Sequence, residues 1–194
     1  MALTSPRADL VGASEPSIPL PGAKITTRVN FLQAARQAVL ARLAGKRPVH
    51  AHLNLEHITG SGVHGSYQVY IEVPPAAGAA PAPAPGTAPA APVATAPGAS
   101  AATAPGAPAG HAPLFAGILS TFGVRKASLK DGPHGGSGIT TVLDITPLIH
   151  KLHDEHGWDG HHLDVTLVPE IPPGRKEPMP PSDLKIGRVS VFYS

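Results

Sequence analysis

The chain has 194 residues, with 15 Lys+Arg against 13 Asp+Glu, no cysteine, 24 Pro and 21 Gly. A formal charge of +2 without a Lys/Arg cluster gives no electrostatic footprint for nucleic acid, and a cysteine-free chain excludes disulfide scaffolds, zinc ribbons, iron–sulfur sites and thiol nucleophiles. No run reaches the ~18 apolar residues needed to cross a bilayer, and the first ten residues lack an apolar leader, so neither a membrane nor a nucleic-acid partner is expected and the location is cytoplasmic by default.

In chain order, residues 1–22 read as an extended N-terminal segment. Residues 23–73 read as the first half of a β-fold that includes a helix. Lys24 to Val29 has strand character. Asn30 is placed to cap a helix on which Leu32, Ala35, Val39 and Leu43 share a face, before Gly45 and Pro48 stop it. Val49, Ala51, Leu53 and Leu55 then alternate with His50, His52, Asn54 and Glu56, the period of a half-buried strand. After the Gly60-Ser61-Gly62 turn, Tyr67, Val69, Ile71 and Val73 alternate again, which predicts a hairpin between the two runs.

Residues 74–113 hold 18 Ala, 11 Pro and 5 Gly with no charged residue. Proline every few positions forbids a ladder or a helix, and alanine buries too little area to offset the entropy of ordering, so a long disordered loop is expected. A loop of this length fits inside one domain only if its flanks pair with each other. Residues 114–194 form the second half. Strands are expected over 114–122 and 139–145, then a short helix opening at Thr146-Pro147 and ending at Gly157, then strands around Leu163, Val165 and Leu167 and over 184–193, with a bulge near Gly187. The sum is a mainly β fold: a single antiparallel β-sandwich, jelly-roll-like, of about seven strands with two short helices.

Eleven histidines invite a metal reading. His50 and His52 share a strand face and make a feasible half-site, whereas His150, His153 and His156 step every three residues and drift about 60° per step around a helix. The latter read as a solvated face. Asp154 and Glu155 pair most simply with solvent or Lys151. Gly135-Gly136-Ser137-Gly138 lacks the Gly-Lys-Ser/Thr ending of a phosphate loop and precedes a strand, so it reads as a turn. No Gly-x-Ser-x-Gly elbow is present. No catalytic residue emerges from spacing.

An ordered series of short motifs carries a resemblance. His52-Leu53-Asn54-Leu55-Glu56, Gly60-x-Gly62 and Tyr67-x-Val69-Tyr70 come first, then Leu114-Phe115-Ala116-Gly117, Phe122-Gly123, His134-Gly135-Gly136-x-Gly138 and Leu143-Asp144-Ile145-Thr146. Trp158-Asp159, Val165-Thr166-Leu167-Val168-Pro169 and Gly187-Arg188-Val189-Ser190 complete it. In this order they resemble the C-terminal β-domain of bacterial tyrosinase-like and polyphenol oxidase-like copper proteins, and residues 9–14 resemble the segment that joins it to the copper domain. The resemblance implies a noncatalytic domain that packs on a copper domain and shields its entrance, with copper held in that partner domain and none in this chain. Tyr67, Tyr70, Phe115 and Phe192 are then the aromatics to test for partner contact. The alternatives are a free-standing β-sandwich that self-associates and, third, a copper-handling protein built on His50 and His52.

Overall fold

The computed structural model describes residues 9–14, 17–45, 49–61, 65–72, 112–132, 134–170 and 183–194; the Ala/Pro segment expected as a loop, apart from its last two residues, lies outside them, as do Pro48, Gly62 and Val73. The elements in chain order are β1 (Asp9–Ala13), β2 (Ile18–Pro19), β3 (Ile25–Phe31), α1 (Gln33–Ala44), β4 (Ala51–Ile58), β5 (Tyr67–Glu72), β6 (Leu114–Leu119), α2 (Val124–Ala127), β7 (Ile139–Asp144), α3 (Thr146–His156), β8 (His162–Pro169), β9 (Lys185–Ile186) and β10 (Arg188–Tyr193).

Eight strands make one sheet in the order β6-β5-β8-β3-β1-β10-β4-β7, with every pairing antiparallel, and β2 pairs with β9 in a small second sheet. Period-2 burial explains why these segments are strands: Ala51, Leu53 and Leu55 of β4, Val69 and Ile71 of β5, Leu163, Val165 and Leu167 of β8 and Val189 and Val191 of β10 are all buried. Those residues point to one shared interior because the sheet curls until its two edge strands meet. A Cβ placed on Gly117 of β6 would stand 3.0 Å from a methyl group of Leu143 on β7. The mainly β antiparallel class is borne out, with both layers of the core supplied by a single curled sheet.

Several local expectations hold and others do not. The flanks of the Ala/Pro segment pair, with Ile71 opposite Leu114 and Tyr67 opposite Leu119. The predicted hairpin between β4 and β5 is absent: β4 lies between β10 and β7, while β5 lies between β6 and β8. Alternation fixed which face of each run is buried, but it carries no information about which strand lies alongside. Asn30 does not cap α1. It belongs to β3 opposite His162, and Leu32 takes the cap position with extended backbone. Ten strands occur among the described residues against about seven expected, because β1 and β2 form within the N-terminal segment and the last strand breaks at Gly187 into β9 and β10. A third helix, the single turn α2, adds to the two foreseen.

Helix α1 buries Val39 and Leu43, while Leu32, placed on that face by periodicity, is 61% exposed because it precedes the helix. Trp158 packs edge-on against Phe31 at 5.4 Å between ring centres and donates its Nε1–H to the carbonyl of His162 at 2.7 Å. Helix α3 ends, as expected, at Gly157 in the left-handed conformation (φ +61°), where Gly carries no steric cost.

The start of α3 is tied to the sheet through one carboxylate. The Thr146 N–H donates to Asp144 Oδ1 at 2.9 Å, and the Thr146 hydroxyl accepts from the Ala51 N–H at 2.9 Å. The hydrogen bonds from Thr146 hold the Asp144 carboxyl below the usual carboxylate range, aided by His52 and His50. A lowered folded-state pKa contributes stability above the ordinary carboxylate value and loses it as pH falls through the lowered one. Asp144→Ala is therefore expected to cost about 1 kcal/mol at pH 7 in urea denaturation, with the difference from the parent shrinking below about pH 4. A penalty that stays constant down to acid pH would contradict this.

Candidate functional site

The outer face of β5 and β6 carries exposed apolar side chains on neighbouring strands. Tyr70 stands opposite Phe115 and Gln68 opposite Ile118. The Tyr70 and Phe115 rings meet edge to face at 5.5 Å, and the Tyr70 hydroxyl donates to Gln68 Oε1 at 2.6 Å. Phe115 is 52% and Ile118 49% exposed, and Phe122, just past β6, is almost wholly in solvent. Polar pairs border this face. Thr166, opposite Tyr70 on β8, donates to Glu72 Oε1 at 2.7 Å, and Arg28 makes a two-pronged contact with Asp164 at 2.7 and 2.8 Å.

Strict alternation along β6 would put Phe115 and Ile118 on opposite faces. The ladder slips between Val69 and Tyr70, so Val69 faces Gly117 while Tyr70 faces Phe115, and Ala116 is the extra residue. This bulge turns Phe115 outward beside Ile118. Ile118 was not singled out from the sequence, and the signal that could have found it is Gly117, a glycine inside an apolar strand pattern.

The four aromatics named from the sequence do not form one surface. Tyr70 and Phe115 meet on the β5–β6 face. Phe192 lies elsewhere, on β10 between Leu10 of β1 and His52 of β4. Tyr67 is fully buried in the core, so it is no surface residue: it starts the inward-facing row of β5 with Val69 and Ile71. A large ring at an inward position of a curled sheet fills the interior.

His50 and His52 lie toward Asp144, with His52 opposite it in the β4–β7 ladder. His50 is exposed at the extension of β4, where it exchanges backbone hydrogen bonds with Ser194. His153 Nδ1 lies 2.8 Å from Asp154 and Lys151 lies 3.9 Å from Glu155, both local contacts on the solvent side of α3. Among the described residues no three His, Asp or Glu side chains are grouped as a metal ion requires. No helix among them is long and apolar enough to cross a membrane.

Comparison with known proteins bears out the resemblance read from the motifs. Over 77 residues, 40% of this chain, the sequence is 30% identical to tyrosinase HcTyr1 of Hahella sp. (strain CCB-MM4), of which the match takes in 16%. Among solved structures, latent apple tyrosinase (MdPPO1) superposes on 92% of this chain and 27% of its own, at 20% identity and a TM-score of 0.42, a likeness too loose to carry topology or function across. The chain thus corresponds to a small part of each of these proteins. Residues 7–87 and 101–194 match the family described as domain of unknown function DUF7868, and the chain belongs to that family.

Proposed function

We propose that this chain is a noncatalytic domain of a tyrosinase-type copper oxidase, packing on the copper-bearing domain and controlling the access of phenols to it. The observation that carries the reading is the exposed face formed by Tyr70, Phe115 and Ile118 beside a polar border, on a chain related in sequence to a tyrosinase. Apolar rings held rigid by strand pairing and rimmed by polar groups are the usual centre of a protein contact. The residues that would bind copper belong to the partner in this reading, and this chain supplies shape and exclusion of solvent.

Two measurements test it. The isolated chain is expected to show no oxidation of monophenols or diphenols when supplied with copper, and a linear rate proportional to protein would overturn the reading. Added to the copper domain of a tyrosinase-type oxidase, the chain is expected to lower diphenol oxidation. Phe115→Glu should weaken that inhibition about 30-fold, the loss of one central contact worth ~2 kcal/mol. Equal inhibition by the variant, or a chain that only self-associates and leaves the oxidase untouched, would reject it.

A further inference from the structure

A second region of the surface has a different chemistry. An open groove of about 520 Å³ is lined by His57, Thr59, Lys130, Gly136, Ser137 and Lys185 among others, and none of the described lining residues carries a carboxylate. Among the described residues, neither Lys130 nor Lys185 forms an ion pair, unlike Lys24, Arg28, Lys151 and Arg188. Two lysines among the lining residues, with no carboxylate among the described ones, leave a positive potential that an anion would neutralise.

The backbone around the groove is shaped to hold it open. His57 has φ +54°, the only positive value outside glycine among the described residues, and it sits where the β4–β7 register slips between Leu55 and Ile58. A left-handed histidine costs energy and persists because its surroundings hold it. Here the Gly187 N–H donates to the carbonyls of Glu56 and His57, at 2.9 and 3.2 Å. The His57 Nδ1–H points at the carbonyl of Ser137, 3.3 Å away, which ties the histidine ring to the Gly135–Gly138 loop. Gly135 and Gly136 both have positive φ, so the loop folds back above Lys130. In the wall, the buried Thr59 Oγ1 has no hydrogen-bond partner.

We propose that this groove binds the phosphate group of a small phosphorylated molecule. Lys130 and Lys185 supply charge, and Thr59, whose hydroxyl has no partner, is the polar donor left in the wall, since the Ser137 hydroxyl already donates to the His134 carbonyl. The tetrahedral anion occupies only part of the volume, which leaves room for the organic portion. The loop is not a phosphate loop of the nucleotide-binding kind, since a strand follows it and the cations come from elsewhere in the chain. None of the residues of the Phe115 face is involved, so the site stands or falls independently of the proposed docking role.

Isothermal titration of the chain with inorganic phosphate, glucose 6-phosphate and glucose tests the proposal. Both phosphates are expected to bind, glucose 6-phosphate more tightly and with Kd at or below about 1 mM, and glucose not at all. Lys130→Ala and Lys185→Ala should each weaken binding about tenfold, the worth of one charged hydrogen bond. Lys130→Arg and Lys185→Arg should retain it, and Lys151→Ala on α3 should change it less than twofold. No heat with either phosphate, binding of glucose as strong as of its phosphate, or an equal loss in Lys151→Ala would overturn the assignment.

Discussion

Gly138→Ala is expected to destabilise the fold by about 3 kcal/mol or more, the largest effect of any single methyl group considered. Two costs coincide there. The backbone has φ +77°, a left-handed conformation that charges a side chain of the L series roughly 1–2 kcal/mol. A Cβ at this position would also lie 2.3 Å from the carbonyl oxygen of Ile58 and 2.8 Å from its carbon, and backbone atoms in a paired strand cannot step aside. Gly138 leads into β7 where Ile139 pairs with Ile58, so relief of the clash would have to open that end of the ladder. Gly135→Ala is the control, having φ +55° but open space around the added atom; it should cost only about 1 kcal/mol. Chemical denaturation of both variants reads the contrast directly. Equal losses would show that the close approach to Ile58 is unimportant.

Arg188→Ala is expected to cost about 2 kcal/mol, and Glu56→Gln in the same background to recover part of it. Glu56 is only 8% exposed although it lies on the outer row of β4, because Arg188 and Ser190 of β10 cover it. Arg188 Nε donates to Glu56 Oε2 at 3.0 Å, Nη2 donates to the same oxygen, and the Ser190 hydroxyl donates to Oε1. Removing the guanidinium leaves a mostly buried carboxylate with a single neutral donor. Stranding a buried charge in this way costs about 3–5 kcal/mol when solvent is fully excluded. The cost here falls below that range, to about 2 kcal/mol, because the Arg188 side chain is 43% exposed and water can enter in its place. Glutamine removes the charge while still accepting from Ser190, so the double variant should be the more stable of the two. A double variant less stable than Arg188→Ala alone would mean that the carboxylate is well hydrated and the pair adds little.

These expectations rest on positions whose importance differs in how visible it was beforehand. Gly187 and Arg188 stand in a motif of the closing strand, and the break in alternation there announced the interruption that separates β9 from β10. In the sequence Gly138 is one of several turn glycines. Nothing in the sequence ranked it above Gly135, because its demand for space comes from Ile58, about eighty residues earlier in the chain. Phe115 and Tyr70 were named as contact candidates, yet the same reasoning named Tyr67, which is interior. Aromatic identity alone does not tell a filler of the core from a surface ring.

What the sequence determined by itself was local and periodic. It set the buried rows of β4, β5 and β8, the start of α3 at Thr146-Pro147 and its end at Gly157, and the kinship with tyrosinase-like proteins. Each follows from side-chain alternation, helix-end chemistry or motif order, which a linear string records. Tertiary structure decided which strands are neighbours, the inclusion of β1 between β3 and β10, the bulge that turns Phe115 outward beside Ile118, and the meeting of His57, Lys130, Ser137 and Lys185 around one groove. Those arrangements depend on pairings between distant segments, where a slip of one residue reverses which side chains face the core and which face solvent.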